Sequence, residues 1–478
     1  MLISFIVCLL AFVFIGAASA WKSRSTKQDY YLASASVKPW LVGLSAVATN
    51  NSGYMFIGVI GYTYSQGLSA IWLMLGWICG DFLASLYVHK RMRAAAERSG
   101  EVSYAGVLSH WHGQNFVSLQ RLIGIVSLLF LLTYAAAQLM AGGKALHVLL
   151  GWPLWSGAAM GALFVCIYCY SGGIRASIWT DAAQSIVMIV AMAVLLVAAV
   201  SHLGGMQPAI EQLHGVPGYM DWMPKDLLLP GAAGAVLFVV GWLFAGFSVI
   251  GQPHVMVRFM TLNSTGNMQQ AKIWYYLWFT AFYCMATGVG LLAKIYLSDT
   301  AGFDAELALP TMAQELLPAA LVGLILAGIF AATMSTADSL VLSCSAALTH
   351  DILPGNIEKV GLLKLSSVLV TALALVLAIF NKQSVFGMVV MAWSGLASAF
   401  APLLLMHCLG YKFSERQAIA AVFTGFSVAL LWRLLDWHNY VYEGFPGIVI
   451  GVLFLWVAKA INDLATGKLA ATSSGASR

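Results

Sequence analysis

Charge is what this chain lacks. Of its 478 residues only 9% are Asp, Glu, Lys or Arg, while 60% are hydrophobic. A soluble domain carries about 25% charged residues, so water is not the medium that most of this surface faces. Loop cysteines are missing as well. Cys8, Cys79, Cys166, Cys169, Cys284, Cys344 and Cys408 all fall inside apolar segments, which argues against a disulfide framework or a Cys-based metal site and leaves small buried hydrophobes. A formal net charge of +5 gives no indication of a nucleic-acid partner. No nucleophile–base pairing, metal motif or phosphate loop stands at membrane depth, so an enzyme is not expected.

What the chain has is long apolar runs, with a mean hydropathy of +0.84. Runs of 18 or more apolar residues read as transmembrane helices, and lipid demands helices because each backbone N–H and C=O needs an internal partner. The fold class is therefore an all-α polytopic membrane protein. Thirteen spans are expected: 1–20, 39–64, 67–88, 122–148, 153–171, 178–202, 229–254, 272–297, 318–350, 360–381, 384–410, 415–434 and 444–462. The first resembles a signal peptide, but its basic residues, Lys22, Arg24 and Lys27, follow the apolar run instead of preceding it, so a retained helix is expected. Residues 89–121 form a longer polar connection expected to carry a surface helix. The tail 463–478 is expected to be disordered, with no signalling domain appended.

Charge placement orients these spans. With the N-terminus outside, only Lys144, Lys225, Lys294, Lys382 and Arg433 of the 24 Lys and Arg fall outside the inner loops. The positive-inside rule then places the C-terminus in the cytoplasm.

Polarity enters the membrane at three places. The first is "SAVATNNSGYMF", Ser45 to Phe56, whose Thr-Asn-Asn-Ser-Gly run is poorly suited to a helix interior. It reads either as an unwound helix lining a cavity or as a helix-packing face. The second is the ninth span, where Ala332, Ser335, Thr336 and Ser339 recur at i, i+3, i+4 and i+7 and so share a face. Asp338 stands at the edge of that face, and intramembrane carboxylates usually mark ion or substrate pathways. The third is "GGIRASIWTDAAQSIVM", where Asp181 either joins such a pathway or pairs with Arg175 near the headgroups. Asp81 is a further intramembrane carboxylate, with no role assigned to it. Carbonyls released around Ala48 and Asn51, facing the hydroxyls of Ser335 and Thr336, make an oxygen cage suited to Na⁺.

At these residues the sequence resembles the sodium:solute symporter family, and within it the bacterial sodium/proline symporters. "DYYLA", "SAVATNNSG", "GGIRASIWTDAAQ", "GQPHVMVRFM", "MSTADSLVLSCSAALTHD" and "AWSGLASAFAP" carry the likeness, in order, across roughly 20–460. The resemblance implies a leucine-transporter-like core of two inverted five-helix repeats, 39–202 and 229–410, with broken helices in spans 2 and 7. An extra helix at 1–20 and two helices at 415–462 flank it. It implies a Na⁺ site made by the carbonyls of Ala48, Asn51 and Ala332 and the side chains of Ser335 and Thr336. A second site, for Na⁺ or a proton, maps to Asp181, Ser335, Asp338 and Ser339, where Asp338 departs from the serine common in the family.

The implied solute contacts are Asn50, Ser52, Tyr54, Tyr134, Gln138, Trp242 and Trp393, with helix packing as the other reading of Tyr134 and Trp242. Proline symporters carry Asp-Met-Ser-Gly where this chain has Asn50-Asn51-Ser52-Gly53, so a charge is removed near the expected cavity. The functional expectation is Na⁺-coupled import of a small polar solute, an amino acid such as proline or a related compound. The alternatives are a transporter-like solute sensor, or a carrier of the same fold for a small carboxylate, sugar or vitamin. A monomer in the bilayer of the cell membrane suffices.

Overall fold

The computed structural model describes residues 1–297, 302–355, 357–381 and 384–465; the expected tail beyond 465 lies outside the described residues. These hold no strand, only one isolated bridge between Val37 and Leu262. Eleven helical runs are long and apolar enough to cross a membrane, and Leu2–Ala18 is a shorter apolar helix. The protein is a multi-pass membrane protein.

The chain starts with α1 (Leu2–Ala18) and the short α2 (Lys27–Leu32). A 49-residue run, Pro39–Tyr87, follows. At about 1.5 Å per residue it would far exceed a hydrocarbon core of about 30 Å, and it divides into α3 (Pro39–Tyr54), α4 (Ile60–Gln66) and α5 (Ile71–Tyr87). The reversal is at Gly67, whose φ is +67°. A Cβ there would lie 2.1 Å from the Tyr219 carbonyl oxygen, so only glycine fits.

The polar connection folds as α6 (His89–Ser99) and α7 (Tyr104–Ser109). It is more than a surface helix, because His89, Met92 and Arg93 are buried and Arg93 Nε donates to the Leu262 carbonyl at 2.7 Å. Next come α8 (Val117–Leu150), α9 (Leu154–Gly172), α10 (Ile174–His202) and α11 (Met206–His214).

The seventh expected span is not one helix. It consists of α12 (Gly231–Phe247), a 3₁₀ turn over Ser248–Gly251, and α13 (Pro253–Met260). Pro253 explains the interruption. It has no N–H to continue a helix and pushes its predecessor out of helical geometry, and Gln252 is extended at φ −99°, ψ 101°.

The remainder is α14 (Met268–Tyr296), α15 (Ala308–Leu316), α16 (Ala319–Ala346), α17 (Val360–Phe380), α18 (Val385–Cys408), α19 (Glu415–Leu434) and α20 (Gly444–Ala465). Burial sorts them. The apolar windows of α16 and α18 are 78% and 83% buried, those of α19 and α20 28%. The apolar and small residues of α16 thus face protein all round, with α3, α8 and α10 packed on it. α19 and α20 are peripheral.

Candidate ion and solute site

Ser52 interrupts α3 with φ 31° and ψ 178°, a conformation that costs a non-glycine residue on the order of 1–3 kcal/mol. Three contacts hold it there. Tyr134 on α8 donates its hydroxyl to Ser52 Oγ at 3.2 Å, the N–H of Tyr54 donates to the same oxygen at 3.1 Å, and the N–H of Gly53 reaches Gln138 Oε1 at 2.8 Å. Gly53 is required by space: an added Cβ would lie 2.5 Å from Thr333 Cγ2 and 3.0 Å from Gln138 Oε1. The polar run is thus a helix break that is also packed tightly, so both readings of it describe part of the truth.

The carbonyls next to the break meet the hydroxyl face of α16. Ser335 Oγ donates to the Ala48 carbonyl at 3.2 Å and lies 3.1 Å from the Ala332 carbonyl. Thr336 Oγ1 donates to the Thr49 carbonyl at 2.9 Å and is 3.5 Å from that of Ala48. All five residues are buried. Four of the five expected Na⁺ ligands therefore converge. The expected ligand at Asn51 is its carbonyl, and its side chain takes no part, donating back to the Val47 carbonyl at 3.0 Å; the Thr49 carbonyl, which sequence reasoning missed, stands in the cluster.

The fit to Na⁺ rests on the donor set. It consists of neutral carbonyl and hydroxyl oxygens, a hard-oxygen set, and no cluster of three or more His, Cys, Asp or Glu with metal-binding geometry occurs among the described residues.

Buried polar atoms without partners surround the break. They are the Tyr54 hydroxyl, Gln138 Nε2, Gln252 Oε1 and both ring nitrogens of His254. Leaving such a group unpaired costs about 1–3 kcal/mol, so a ligand that pairs with several gains accordingly. The His254 ring lies 5.5 Å from that of Tyr134 and 6.2 Å from that of Trp393. Gln252 Nε2 donates to the Trp393 carbonyl at 2.8 Å, and Trp393 Nε1 donates to that of Ala245. Gln252 and His254 were not anticipated; the one signal for them was that they flank Pro253, where a spanning helix must break.

Trp242 stands one ring from Tyr54 and Trp393: it stacks on Trp77 at 6.5 Å, and Trp77 packs on those two at 5.6 Å and 5.5 Å. It lines a cavity of roughly 260 Å³ with Tyr62, Phe238, Phe386, Tyr442 and Glu443. Stacked rings separate that cavity from the break: Tyr62 on Phe386 at 5.2 Å, and Phe386 on Tyr54 at 5.4 Å.

Asn50 adds a further buried and unpartnered polar atom, its Oδ1. Its Nδ2 donates to Asp81 Oδ2 on α5 at 3.2 Å and to the Tyr275 hydroxyl on α14 at 2.5 Å. Tyr275 and Tyr276 each donate to Asp81 at 2.7 Å. This gives Asp81 a structural setting: a fully buried carboxylate held by three neutral donors.

The alternative partner for Asp181 is overturned. Arg175 pairs with Asp29 of α2, at 2.5 Å, because it lies at the start of α10 beside that helix. Asp181 accepts from Ser45 Oγ at 2.6 Å and faces Arg258 Nη2 on α13 at 3.4 Å. The same nitrogen is 3.6 Å from Asp338 Oδ1 and donates to Ser177 and Ser339. Asp181, Asp338 and Ser339 thus share one pocket, with Arg258 inside it.

Comparison with known proteins places this arrangement. The family model for the sodium:solute symporter family matches residues 30–425. The high-affinity proline transporter PutP of Bacillus subtilis is 28% identical over 456 residues, covering 93% of this chain and 94% of the relative. The sodium/proline symporter of Escherichia coli is also 28% identical, covering 96% and 93%.

Among solved structures, a Na⁺-coupled sialic acid symporter in a substrate-bound outward-open state aligns with TM-score 0.78 at 17% identity, covering 95% of each chain. MhsT in complex with L-phenylalanine aligns at 0.56 and 13%, covering 89% of this chain and 98% of that one. These likenesses agree on the helical transporter fold, and the family match spans both helix breaks and the oxygen cluster between α3 and α16. The chain belongs to the sodium:solute symporter family.

Proposed function

We propose that the protein imports a small polar organic solute with Na⁺ across the cell membrane, and that the solute is an amino acid such as proline or a related compound. The carrying observation is the oxygen cluster at the break of α3, where the Ala48 and Thr49 carbonyls meet the Ser335 and Thr336 hydroxyls of α16. In this reading Na⁺ is held by Ala48, Asn51, Ala332, Ser335 and Thr336, and its hydroxyl ligands turn their lone pairs toward the ion. The ion then ties α3 to α16 beside the groups that await a solute.

The solute is read from those groups. Tyr54, Gln138 and Gln252 offer donors and acceptors, His254 offers either, and Tyr134 and Trp393 offer flat apolar faces. A compact molecule with charged or polar ends and an apolar body suits them. The proline transport of the relatives supports the same class. Repeats 39–202 and 229–410 rock against each other to expose the site alternately, with the N-terminus outside, the C-terminus inside, and Trp242 in the outer vestibule. Inward Na⁺ movement contributes about 2.3 kcal/mol per charge per 100 mV, roughly fifty-fold in solute concentration. Binding of ion and solute is reciprocal, each raising affinity for the other by the same factor.

A thermal-shift screen of the purified protein tests this reading, with proline, other amino acids, small carboxylates, sugars and vitamins in Na⁺ and in K⁺. Ligands of the native state raise its apparent stability. An amino acid should raise the midpoint in Na⁺ and not in K⁺. Equal shifts in both salts would contradict Na⁺ coupling, and a shift with sugars or vitamins alone would replace the solute class.

A further inference from the structure

At one end of the bundle a groove gathers three cations that the ion and solute site does not use. It is a cavity of roughly 530 Å³ between the end of α1, the start of α3 and the first turns of α10. Lys22, Lys38 and Arg175 line it, and no acidic residue does. Lys22 follows α1, Lys38 precedes α3 and Arg175 opens α10, so the three cations share the mouth. The walls are apolar, with Ile15 from α1, Leu41 from α3, and Trp179, Ala183 and Ile186 from α10. Ile186 is eleven residues beyond Arg175, about 16 Å along a helix and so about the depth of one leaflet.

We propose that this groove seats one anionic phospholipid, its phosphate at Lys22, Lys38 and Arg175 and an acyl chain along α10. Charge carries the first half of the inference. Asp29 engages Arg175 through Nη2, but among the described residues neither Lys22 nor Lys38 pairs with a carboxylate. The mouth therefore keeps two uncompensated positive charges. Lys22 is held at the mouth, its Nζ 4.9 Å from the centre of the Trp179 ring. Arg175 is 92% buried and its Nε has no partner. An anion at the mouth would compensate all three cations, and charge-assisted bonds of this kind are the strong ones.

The walls decide between a lipid and a free anion. Ile186 is 60% exposed and Trp40, at the mouth, 42%, so protein leaves the groove open along its side to the bilayer. A free phosphate would fill the mouth and leave these surfaces bare. A zwitterionic lipid would fit the walls but bring its own cation to the two lysines. In the orientation proposed above the mouth opens to the cytoplasmic leaflet, whose surface is negative and whose anionic headgroups bind basic pockets between spans.

The test is thermal unfolding of the purified protein in detergent, titrated with dioctanoyl phosphatidylglycerol, dioctanoyl phosphatidylcholine or inorganic phosphate. Ligands of the native state raise its midpoint. Phosphatidylglycerol should raise it saturably, and the other two should not at equal concentration. Each lysine near an anionic headgroup is worth roughly five-fold, so Lys22→Gln/Lys38→Gln should raise the half-saturating concentration roughly ten- to thirty-fold. Lys90→Gln/Lys412→Gln, which removes two exposed lysines outside the groove, should leave it unchanged. No response to phosphatidylglycerol, an equal response to phosphatidylcholine, or an equal response to inorganic phosphate overturns the inference. So does a half-saturation that Lys22→Gln/Lys38→Gln does not move, or that both double variants move alike.

Discussion

Ser335 and Thr336 do different work although they are neighbours. Ser335 sits between the Ala48 and Ala332 carbonyls, at 3.2 Å and 3.1 Å, whereas Thr336 bonds chiefly to Thr49 at 2.9 Å. Either hydroxyl is one ligand in a neutral oxygen set, and one hydrogen-bond-like contact is worth about 0.5–1.5 kcal/mol net. Ser335→Ala and Thr336→Ala should therefore each raise the Na⁺ concentration for half-maximal binding by roughly three- to ten-fold, with little change in protein level. Titration of Na⁺-induced stabilisation measures this, and an unchanged half-saturation in both variants removes them from the site.

At the same scale the four-residue spacing on α16 was readable in the sequence, because residues at i, i+3, i+4 and i+7 share a helix face whatever the fold. The destination of Arg258 was not. "GQPHVMVRFM" reads as an inner loop with a basic residue, and nothing in that segment says that its arginine turns inward to two carboxylates on other helices. Asn50 raised a similar difficulty. Its neighbours in sequence pointed to the solute cavity, and nothing in them pointed to Asp81 and Tyr275 on other helices, which take its amide nitrogen.

Among the elements, α3, α5 and α14 are joined by this Asn50–Asp81–Tyr275–Tyr276 cluster. Asp81 accepts from three donors, and an asparagine in its place turns an NH₂ toward one of them, leaving buried donors unpaired at about 1–3 kcal/mol. Asp81→Asn should lower unfolding stability in detergent by on the order of 1–3 kcal/mol while shifting Na⁺ half-saturation less than Ser335→Ala does. An unchanged unfolding midpoint combined with lost solute binding would show that Asp81 contacts the solute instead.

A second tie between elements lies outside the spans. Burial pushes the Asp29 carboxyl upward, but the Arg24 N–H, the Arg175 guanidinium and the Ser34 hydroxyl more than offset it and hold it below the usual carboxylate range. A depressed acid contributes stability above its unfolded pKa and loses it as pH falls through the folded one. The stability gap between wild type and Asp29→Asn should accordingly narrow as pH is lowered from about 6 to about 3. A gap that stays constant over that range contradicts the tie.

For the whole molecule, hydropathy made the spans legible because lipid permits few alternatives to an apolar helix. It could not locate the interruption in the seventh, since Gly231–Gly251 is apolar but for Ser248 and only Pro253 marks where regular geometry ends. Nor could it separate Trp242 from Trp393. Both are tryptophans in apolar helices, yet one lines the cavity beyond the stacked Tyr62 and Phe386 rings and the other packs beside His254. Such differences are set by packing between distant helices, which periodicity along one helix does not encode.

The central claim is that ion binding between α3 and α16 drives solute movement. It is tested most directly by initial uptake, into proteoliposomes, of the labelled solute returned by the stability screen, with and without an inward Na⁺ gradient. The account predicts accumulation above equilibrium with the gradient, only equilibration without it, and loss of accumulation in Ser335→Ala/Thr336→Ala. Equal uptake rates in Na⁺ and in K⁺ would contradict it.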